Sequence, residues 1–188
     1  MTPQQFAEAV RKKFESGFAA RYGKRIVEDD LFGTALDLSL DPNPQTAFHA
    51  AYALEYAFFA APERFEPFHA RFVDCFLVVS HPGVHRHYSK IMSSLLQTGS
   101  VVLSDEQRQR VAERTFDRLI DPKTRVAVKV WSMEILDSLS AALPWVDEQL
   151  EETVRFLMRD GSPGLCNRGA KICRRIRRRK TSLPSAGR

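Results

Sequence analysis

Apolar residues recur along this chain at the spacing of amphipathic helices. The stretch Asp121 to Leu143 is the clearest case, and its apolar positions are Val128, Trp131, Ile135 and Leu139. These positions stand three or four residues apart, which places them on one face of a helix. An Asp-Pro pair opens the stretch, and proline suits the first turn of a helix because its missing N–H would have no partner there. The pattern therefore predicts a helix with one buried face.

Breaks that contain proline divide the chain at regular intervals. They are Asp41-Pro42, His81-Pro82, Asp121-Pro122 and Gly161-Ser162-Pro163. The interval is about 40 residues, which is the length of a two-helix solenoid repeat. The short β-branched runs lie only at predicted helix boundaries, so no strand is predicted. We therefore predict an all-α fold of about nine helices, stacked as hairpins in one domain over residues 1–180, with a flexible tail at 181–188.

Local signals predict where individual helices begin and end. Thr2-Pro3 is predicted to start the first helix, and Tyr22-Gly23 to end it. Asp29 or Asp30 is predicted to cap the second helix. The segment from Ser104 to Gln107 has the spacing of a capping box, in which two side chains satisfy free N–H groups at the start of a helix.

The stretch Asp121 to Leu136 resembles the second helix of a HEAT repeat. That repeat has an acid in its turn, an apolar-basic pair, a small residue three positions later and a large apolar residue four further on. Here these positions hold Asp121, Val128-Lys129, Ser132 and Leu136. The segments from Asp41 and around Lys90 resemble the repeat more loosely, with His49 in the basic position of the former. The resemblance implies a right-handed α-α superhelix like that of short stand-alone bacterial HEAT-like proteins, with a binding role and no chemistry.

Aromatic residues follow one another along two predicted helices. The segment from Gln45 to Ala60 is apolar on most sides, which is typical of a helix packed between layers. Two aromatic stripes are interpreted as packing: one is Tyr52, Tyr56 and Phe59, and the other is Phe65, Phe68, Phe72 and Phe76.

Charge is distributed unevenly. The net charge is +5, but residues 165–188 contain nine Lys and Arg residues and no acid, so the remaining chain is mildly acidic. A few cations at a helix C-terminus are explained by the helix dipole, whereas a cluster of this size indicates an acidic partner or a solvated end. No run reaches the roughly 18 apolar residues of a membrane helix. The N-terminus has no secretory signal and the three cysteines cannot all pair, so we expect a cytoplasmic protein with reduced thiols.

Candidate metal ligands occur in one cluster, which consists of His81, His85 and His87. Metal binding requires three or four converging donors, and residues two apart on a helix point in different directions. Cys166 and Cys173 are two helical turns apart, too far to hold one metal. We therefore expect no metal and no cofactor, and exposed arginines would lower the pKa of Cys173 if that thiol were exposed.

Sequence signatures of enzymes are missing: there is no Gly-rich phosphate loop, no His-Glu-x-x-His and no Gly-x-Ser-x-Gly. We therefore expect a non-enzymatic scaffold that binds another protein. Candidate contacts form two groups, a row of bases at repeat spacing and the basic end. They are His49, Lys90, Lys129 and Lys171, followed by Arg174, Arg175, Arg177, Arg178 and Arg179.

In a HEAT repeat, the basic row pairs with turn acids of neighbouring repeats, and that structural role is an alternative explanation of it here. The alternative function is nucleic-acid binding through the basic C-terminal helix and a concave surface. It resembles the alkylpurine glycosylases built from HEAT-like repeats, although no catalytic acid or aromatic cradle is assigned here. Because no aromatic residue stands between the arginines, such binding is expected to depend on phosphate contacts and to be sensitive to salt.

Overall fold

The computed structural model describes residues 1–182, and every regular element in that range is helical, with no strand. This confirms the predicted all-α class. The helices are α1 (Pro3–Arg11), α2 (Phe18–Glu28), α3 (Phe32–Leu38), α4 (Pro44–Ala60), α5 (Pro62–Phe65), α6 (His69–Val78), α7 (Pro82–Thr98), α8 (Asp105–Ile120), α9 (Val126–Leu139), α10 (Trp145–Met158) and α11 (Pro163–Ser182). A 3-10 turn at Glu66–Phe68 joins α5 to α6.

The chain divides into two compact units, the first covering residues 1–101 and the second beginning at Val102. Helices α1 to α7 belong to the first unit, and α8 to α11 belong to the second. The breaks near 41 and 81 fall in the first unit, whereas those near 121 and 161 fall in the second.

Helix α4 is the centre of the first unit and contacts α1, α2, α3, α5 and α7. Its small residues explain these contacts, because alanines leave room for neighbouring helices to approach closely. The buried alanines are Ala47, Ala50, Ala51, Ala53 and Ala57. The prediction that this helix packs on most sides is therefore confirmed.

The first predicted helix is two helices in the structure. Helix α1 ends at Arg11, and α2 begins at Phe18 after Gly17, whose φ of 74° is in the left-handed region that glycine adopts readily. The prediction that Gly23 ends a helix was wrong, because Gly23 lies inside α2. A Cβ at Gly23 would be 2.6 Å from the Cβ of Tyr56 and 3.0 Å from the carbonyl oxygen of Ala53. Close packing of α2 on α4 requires glycine at this position.

Three of the predicted caps have clear outcomes. Ser104 forms the predicted capping box with Gln107, and Thr2 caps α1 as predicted, with Gln5 completing a second capping box. The cap predicted at Asp29 or Asp30 was wrong, because the N-cap of α3 is Leu31 and no side chain caps that helix. Asp29 instead forms ion pairs with the amino group of Met1 and with the side chain of Arg25, both at 2.8 Å.

The second unit is built around α9, which packs against α8, α10 and α11. Most of the apolar face predicted for α9 is buried, including Val128, Ile135 and Leu139. The same helix also buries a charged residue, Glu134, of which 1% is exposed. A buried carboxylate requires partners, and α11 supplies them, as described below.

The end of the chain differs in part from the prediction. Helix α11 continues to Ser182, two residues into the segment predicted to be a flexible tail. The rest of that prediction, at residues 183–188, lies outside the described residues. None of the helices in residues 1–182 combines the length and apolar character that crossing a membrane requires.

Candidate partner-binding surfaces

The row of bases predicted from the repeat spacing is partly buried. Only 3% of His49 is exposed, and its Nδ1 donates a hydrogen bond to the carbonyl oxygen of Val10 at 2.7 Å. Lys129 is also buried, with 8% exposed. Little of either side chain is therefore accessible to a partner in this structure, and their role as partner contacts stays a prediction. Lys171 is exposed on α11 and remains a candidate.

Lys90 is partly exposed and is held by the first unit. Its Nζ donates to Oε1 of Glu55 at 2.5 Å and lies 4.5 Å from the centroid of the Phe59 ring. The turn acids that would pair with the basic row in a HEAT repeat accept hydrogen bonds within their own turns. Asp41 accepts from the N–H of Asn43, and Asp121 accepts from the N–H of Lys123, each at 2.8 Å.

Glu55 is a buried carboxylate between two bases from α7. Its Oε2 accepts a hydrogen bond from Nδ1 of His87 at 2.6 Å, while Oε1 accepts from Lys90. Burial raises the pKa of Glu55, but the hydrogen bonds from His87 and Lys90 outweigh it, so the pKa is lowered from its ordinary value. The ionised carboxylate accepts only, which makes Nδ1 of His87 the donor.

The three histidines of the predicted cluster have separate roles. His81 is the N-cap of α7 and accepts from the N–H of Gly83, whereas Nε2 of His85 donates to the carbonyl oxygen of Val79. His87 faces Glu55. Among residues 1–182, no group of three or more His, Cys, Asp or Glu side chains is arranged to hold a metal ion.

The basic helix α11 has a face that is neutralised within the second unit. Arg175 donates to both Glu134 and Asp137, at 2.9 and 2.8 Å. Arg179 donates to Asp137 and Asp147, at 2.8 and 2.7 Å. Two further pairs join Arg168 to Glu134 and Lys180 to Glu151. Hydrogen bonds to Asp137 and Glu134 raise the pKa of Arg175. Arg175 and Arg179, predicted as partner contacts, therefore have structural roles here.

A second face of α11 borders an open groove. We call it the arginine groove; it is lined by Arg155 and Met158 of α10 and by Ala170, Cys173, Arg174, Arg177, Arg178 and Thr181 of α11. Its volume is about 500 Å³, and all four arginines are exposed. Among these lining residues there is no Asp or Glu. The structure thus divides the basic helix into a face that pairs with acids of α9 and α10 and a face that borders the arginine groove.

Cys173 lies beneath the arginines of the groove, with 2% exposed. Burial raises the pKa of its thiol, and Glu151 acts in the same direction, while Arg155 and Arg177 oppose them. The condition under which arginines would lower this pKa, an exposed thiol, is not met.

A set of exposed and half-buried aromatic rings lies on the first unit. We call it the aromatic surface; its residues are Phe14, Phe48, Tyr52, Tyr56 and Phe59. The ring of Tyr52 is stacked on that of Phe14 with centroids 6.1 Å apart, and it contacts Tyr56 at 5.5 Å. Tyr56 and Phe59 are 44% and 46% exposed. The interpretation of Tyr52, Tyr56 and Phe59 as a packing stripe was therefore wrong for its last two members.

Two arginines that border these surfaces were not singled out in the sequence. Arg86 lies on α7 beside the aromatic surface, where its charge acts on the hydroxyl of Tyr52. Arg155 joins the groove from α10, and its nearest sequence signal is only an ordinary i,i+4 pair with Glu151. Neither position is marked by local sequence, because each gains its neighbours from another helix.

The second unit also has a shallow pocket beside Trp145, whose Nε1 donates to Gln109 at 3.2 Å and whose ring contacts Phe116. Its lining includes two acids of α8, Glu113 and Asp117, and no base. Comparison with known proteins found no matching family model, no matching curated protein and no matching solved structure.

Proposed function

We propose that this protein is a non-enzymatic scaffold of the HEAT type that binds another protein. In this proposal its hairpins form one right-handed superhelix, and it acts in the cytoplasm, where its three free cysteines stay reduced. The observation that carries the proposal is the aromatic surface of the first unit.

The composition of the aromatic surface is typical of protein interfaces. Tyrosine, phenylalanine and arginine are enriched at the centres of interfaces, and tyrosine provides a large contact area at a small cost in side-chain entropy. Tyr56 and Phe59 are exposed on a helix that buries its other faces, and the charge of Arg86 acts on Tyr52 of the same surface. Contiguous exposed apolar rings on a protein surface mark interaction sites more often than chance. A partner with apolar side chains and an acid opposite Arg86 would complement this surface.

The exposure of Tyr56 and Phe59 to water costs free energy. Tyr56 and Phe59 stay in water at the expense of apolar burial, about 25 cal/mol for each Å² left exposed. Covering both rings on binding would recover part of that free energy. Alanine substitution of aromatic interface residues commonly weakens binding by more than about 1 kcal/mol each.

The experiment is affinity purification from the native cells with the wild-type chain, followed by direct binding of each recovered protein in purified form. Tyr56→Ala and Phe59→Ala are expected to weaken that binding about tenfold each. Phe156→Ala is the matched control, since Phe156 is an exposed phenylalanine of the second unit outside this surface. Equal binding by all variants, or measured turnover of a substrate without any partner, would refute the proposal.

A second candidate function is nucleic-acid binding by the basic C-terminal helix. The observation that favours it is the exposed side of α11, where Lys171, Arg174 and Arg177 face solvent. Guanidinium groups bind phosphates in a bidentate manner, which suits a nucleic-acid backbone. Against it stands the neutralised face, since Arg175 and Arg179 are held by Asp137 and neighbouring acids.

A gel-shift series at rising salt tests this candidate. If it is correct, affinity falls steeply with salt, and each substitution of Lys171, Arg174 or Arg177 by alanine reduces the salt slope by about one. If the chain binds a protein partner but shifts neither duplex nor single-stranded DNA, the second candidate is wrong and the first proposal remains.

A further inference from the structure

The arginine groove of the second unit has the properties of a ligand site that neither proposed function uses as such. Its arginines come from two helices. Arg174, Arg177 and Arg178 stand at positions i, i+3 and i+4 of α11 and thus share one side of it, and Arg155 faces them from α10. Four guanidinium groups around one concave space repel one another, and an anion bound between them would reduce that repulsion.

Most of the acids that pair with α11 lie on the face opposite the groove. Glu134, Asp137 and Asp147 are bonded to the other face of α11, through Arg175 and Arg179. Glu151 is the acid next to the groove, where it accepts from Arg155 at 2.6 Å and from Lys180 at 2.8 Å. Within the groove Glu151 therefore pairs with Arg155, whereas Arg174 and Arg177 are not among the arginines that these acids hold.

The other side chains that line the groove differ from the arginines. Met158, Ala170 and Cys173 line it with apolar or weakly polar atoms, between the arginines. Ligand sites combine such apolar walls with a few convergent polar groups, and their volumes begin at about 300 Å³. A space of about 500 Å³ is therefore large enough for a small organic molecule that carries an anionic group.

The charge favours a phosphate over a carboxylate. A phosphate monoester carries about two negative charges at neutral pH and presents three oxygens, each able to accept from the N–H groups of a guanidinium fork. A carboxylate presents one charge and two oxygens. A polymer such as nucleic acid is less well matched, because the described lining has no aromatic ring on which a base would stack.

We propose that the arginine groove binds a phosphate monoester carried on a small apolar organic group. The phosphate lies among Arg174, Arg177 and Arg155, and the organic group covers Met158 and Ala170. This site is independent of partner binding by the aromatic surface, which belongs to the first unit.

The test is calorimetric titration of the full-length protein with 1-naphthyl phosphate, with 1-naphthol and inorganic phosphate as the two halves of that probe. Saturable binding of 1-naphthyl phosphate, tighter than that of either half, is the expected result. Arg174→Ala and Arg177→Ala should each weaken it about tenfold, and Arg177→Lys should weaken it less because the charge remains. Arg110→Ala, on the exposed side of α8, is the matched control and should bind as the wild type does.

Several results would overturn the proposal. One is equal binding of 1-naphthol and 1-naphthyl phosphate, which would make the groove an apolar cavity only. Another is binding of a DNA oligonucleotide but of no small phosphate ester, which would assign the arginines to the second candidate function. Unchanged affinity in both groove variants, with folding verified by circular dichroism, would place the bound ester elsewhere.

Discussion

Nη1 of Arg175 donates a hydrogen bond to Oε2 of Glu134 at 2.9 Å, and this contact joins α11 to α9 within the second unit. Glu134 is buried within α9 and also accepts from Arg168. The basic end of the chain, which suggested an external acidic partner, therefore also pairs with acids of its own unit. An ionised carboxylate without such partners would be too costly to bury.

Arg175→Ala should lower the free energy of unfolding by about 2 kcal/mol, because removing one partner of a buried charge is costly and Arg168 offsets only part of the loss. Arg174→Ala, one position earlier on the exposed side, should change it by less than about 0.5 kcal/mol. Urea unfolding of the two variants beside the wild type measures both values. Equal stability of the two variants would show that the pair with Glu134 contributes little.

Gly23→Ala should destabilise the protein by about 2 kcal/mol, since overpacking a close helix contact costs about 1–3 kcal/mol. The added Cβ would lie 2.6 Å from the Cβ of Tyr56, so α2 and α4 would have to separate. Gly164→Ala is the control of opposite sign. A Cβ there meets nothing within 4 Å, and alanine in a helix is favoured over glycine by up to about 1 kcal/mol. A stabilising effect of both substitutions in thermal unfolding would contradict the packing of α2 on α4.

Local features of the fold could be predicted from the sequence, and contacts between distant segments could not. The capping box of Ser104 and Gln107 was found because both partners lie within one turn. Gly23 resembles a helix stop in sequence, and only the approach of α4 explains why it lies inside a helix. In the same way, Asp29 has the chemistry of a cap but is engaged by Met1 and Arg25.

The candidate surfaces show the same limit. Helix α4 is apolar on nearly all sides, so its periodicity does not indicate which side remains in water, and Tyr56 and Phe59 were interpreted as packing residues. The arginines of α11 form one run in the sequence, although Arg175 and Arg174 end on different faces. Which arginine is neutralised depends on acids of α9 and α10 that lie about 30 to 40 residues earlier, such as Asp147 and Glu134. In the predicted row of His49, Lys90, Lys129 and Lys171, the first and third are buried, which the spacing alone does not indicate.

Cys173 should react slowly with iodoacetamide in the native protein. The thiolate is the reactive form, and burial both raises the pKa of this thiol and blocks access to it. Cys75, whose pKa burial also raises, should behave in the same way. Cys166 is more exposed and serves as the internal comparison. Peptide mass spectrometry after timed alkylation measures the reaction at all three sites. Equal alkylation rates of Cys173 and Cys166 in the native protein, before urea is added, would contradict the buried position of Cys173.

Glu55 should make the stability of the protein depend on acid pH. Its pKa in the folded protein is lowered from the ordinary value of 4.5, because hydrogen bonds from His87 and Lys90 outweigh the effect of burial. The unfolded chain therefore binds more protons near and below that pH, and stability rises with pH in this window. The contribution of Glu55 is complete above its ordinary pKa and is lost as the pH falls through the folded value.

The variant Glu55→Gln separates this effect from that of other carboxylates. At pH 7 it should be less stable than the wild type, because His87 and Lys90 lose the charged acceptor at 2.6 and 2.5 Å. At pH 3.5, below the ordinary pKa, the difference should shrink, because protonation of Glu55 in the unfolded chain reduces the stability that the folded carboxylate contributes. Glu63→Gln, on the exposed side of α5, is the matched control and should follow the wild type at both values. Urea unfolding at the two pH values measures the difference. A gap between the wild type and Glu55→Gln that stays constant or widens in acid would mean that the carboxylate is not held ionised by these two bases.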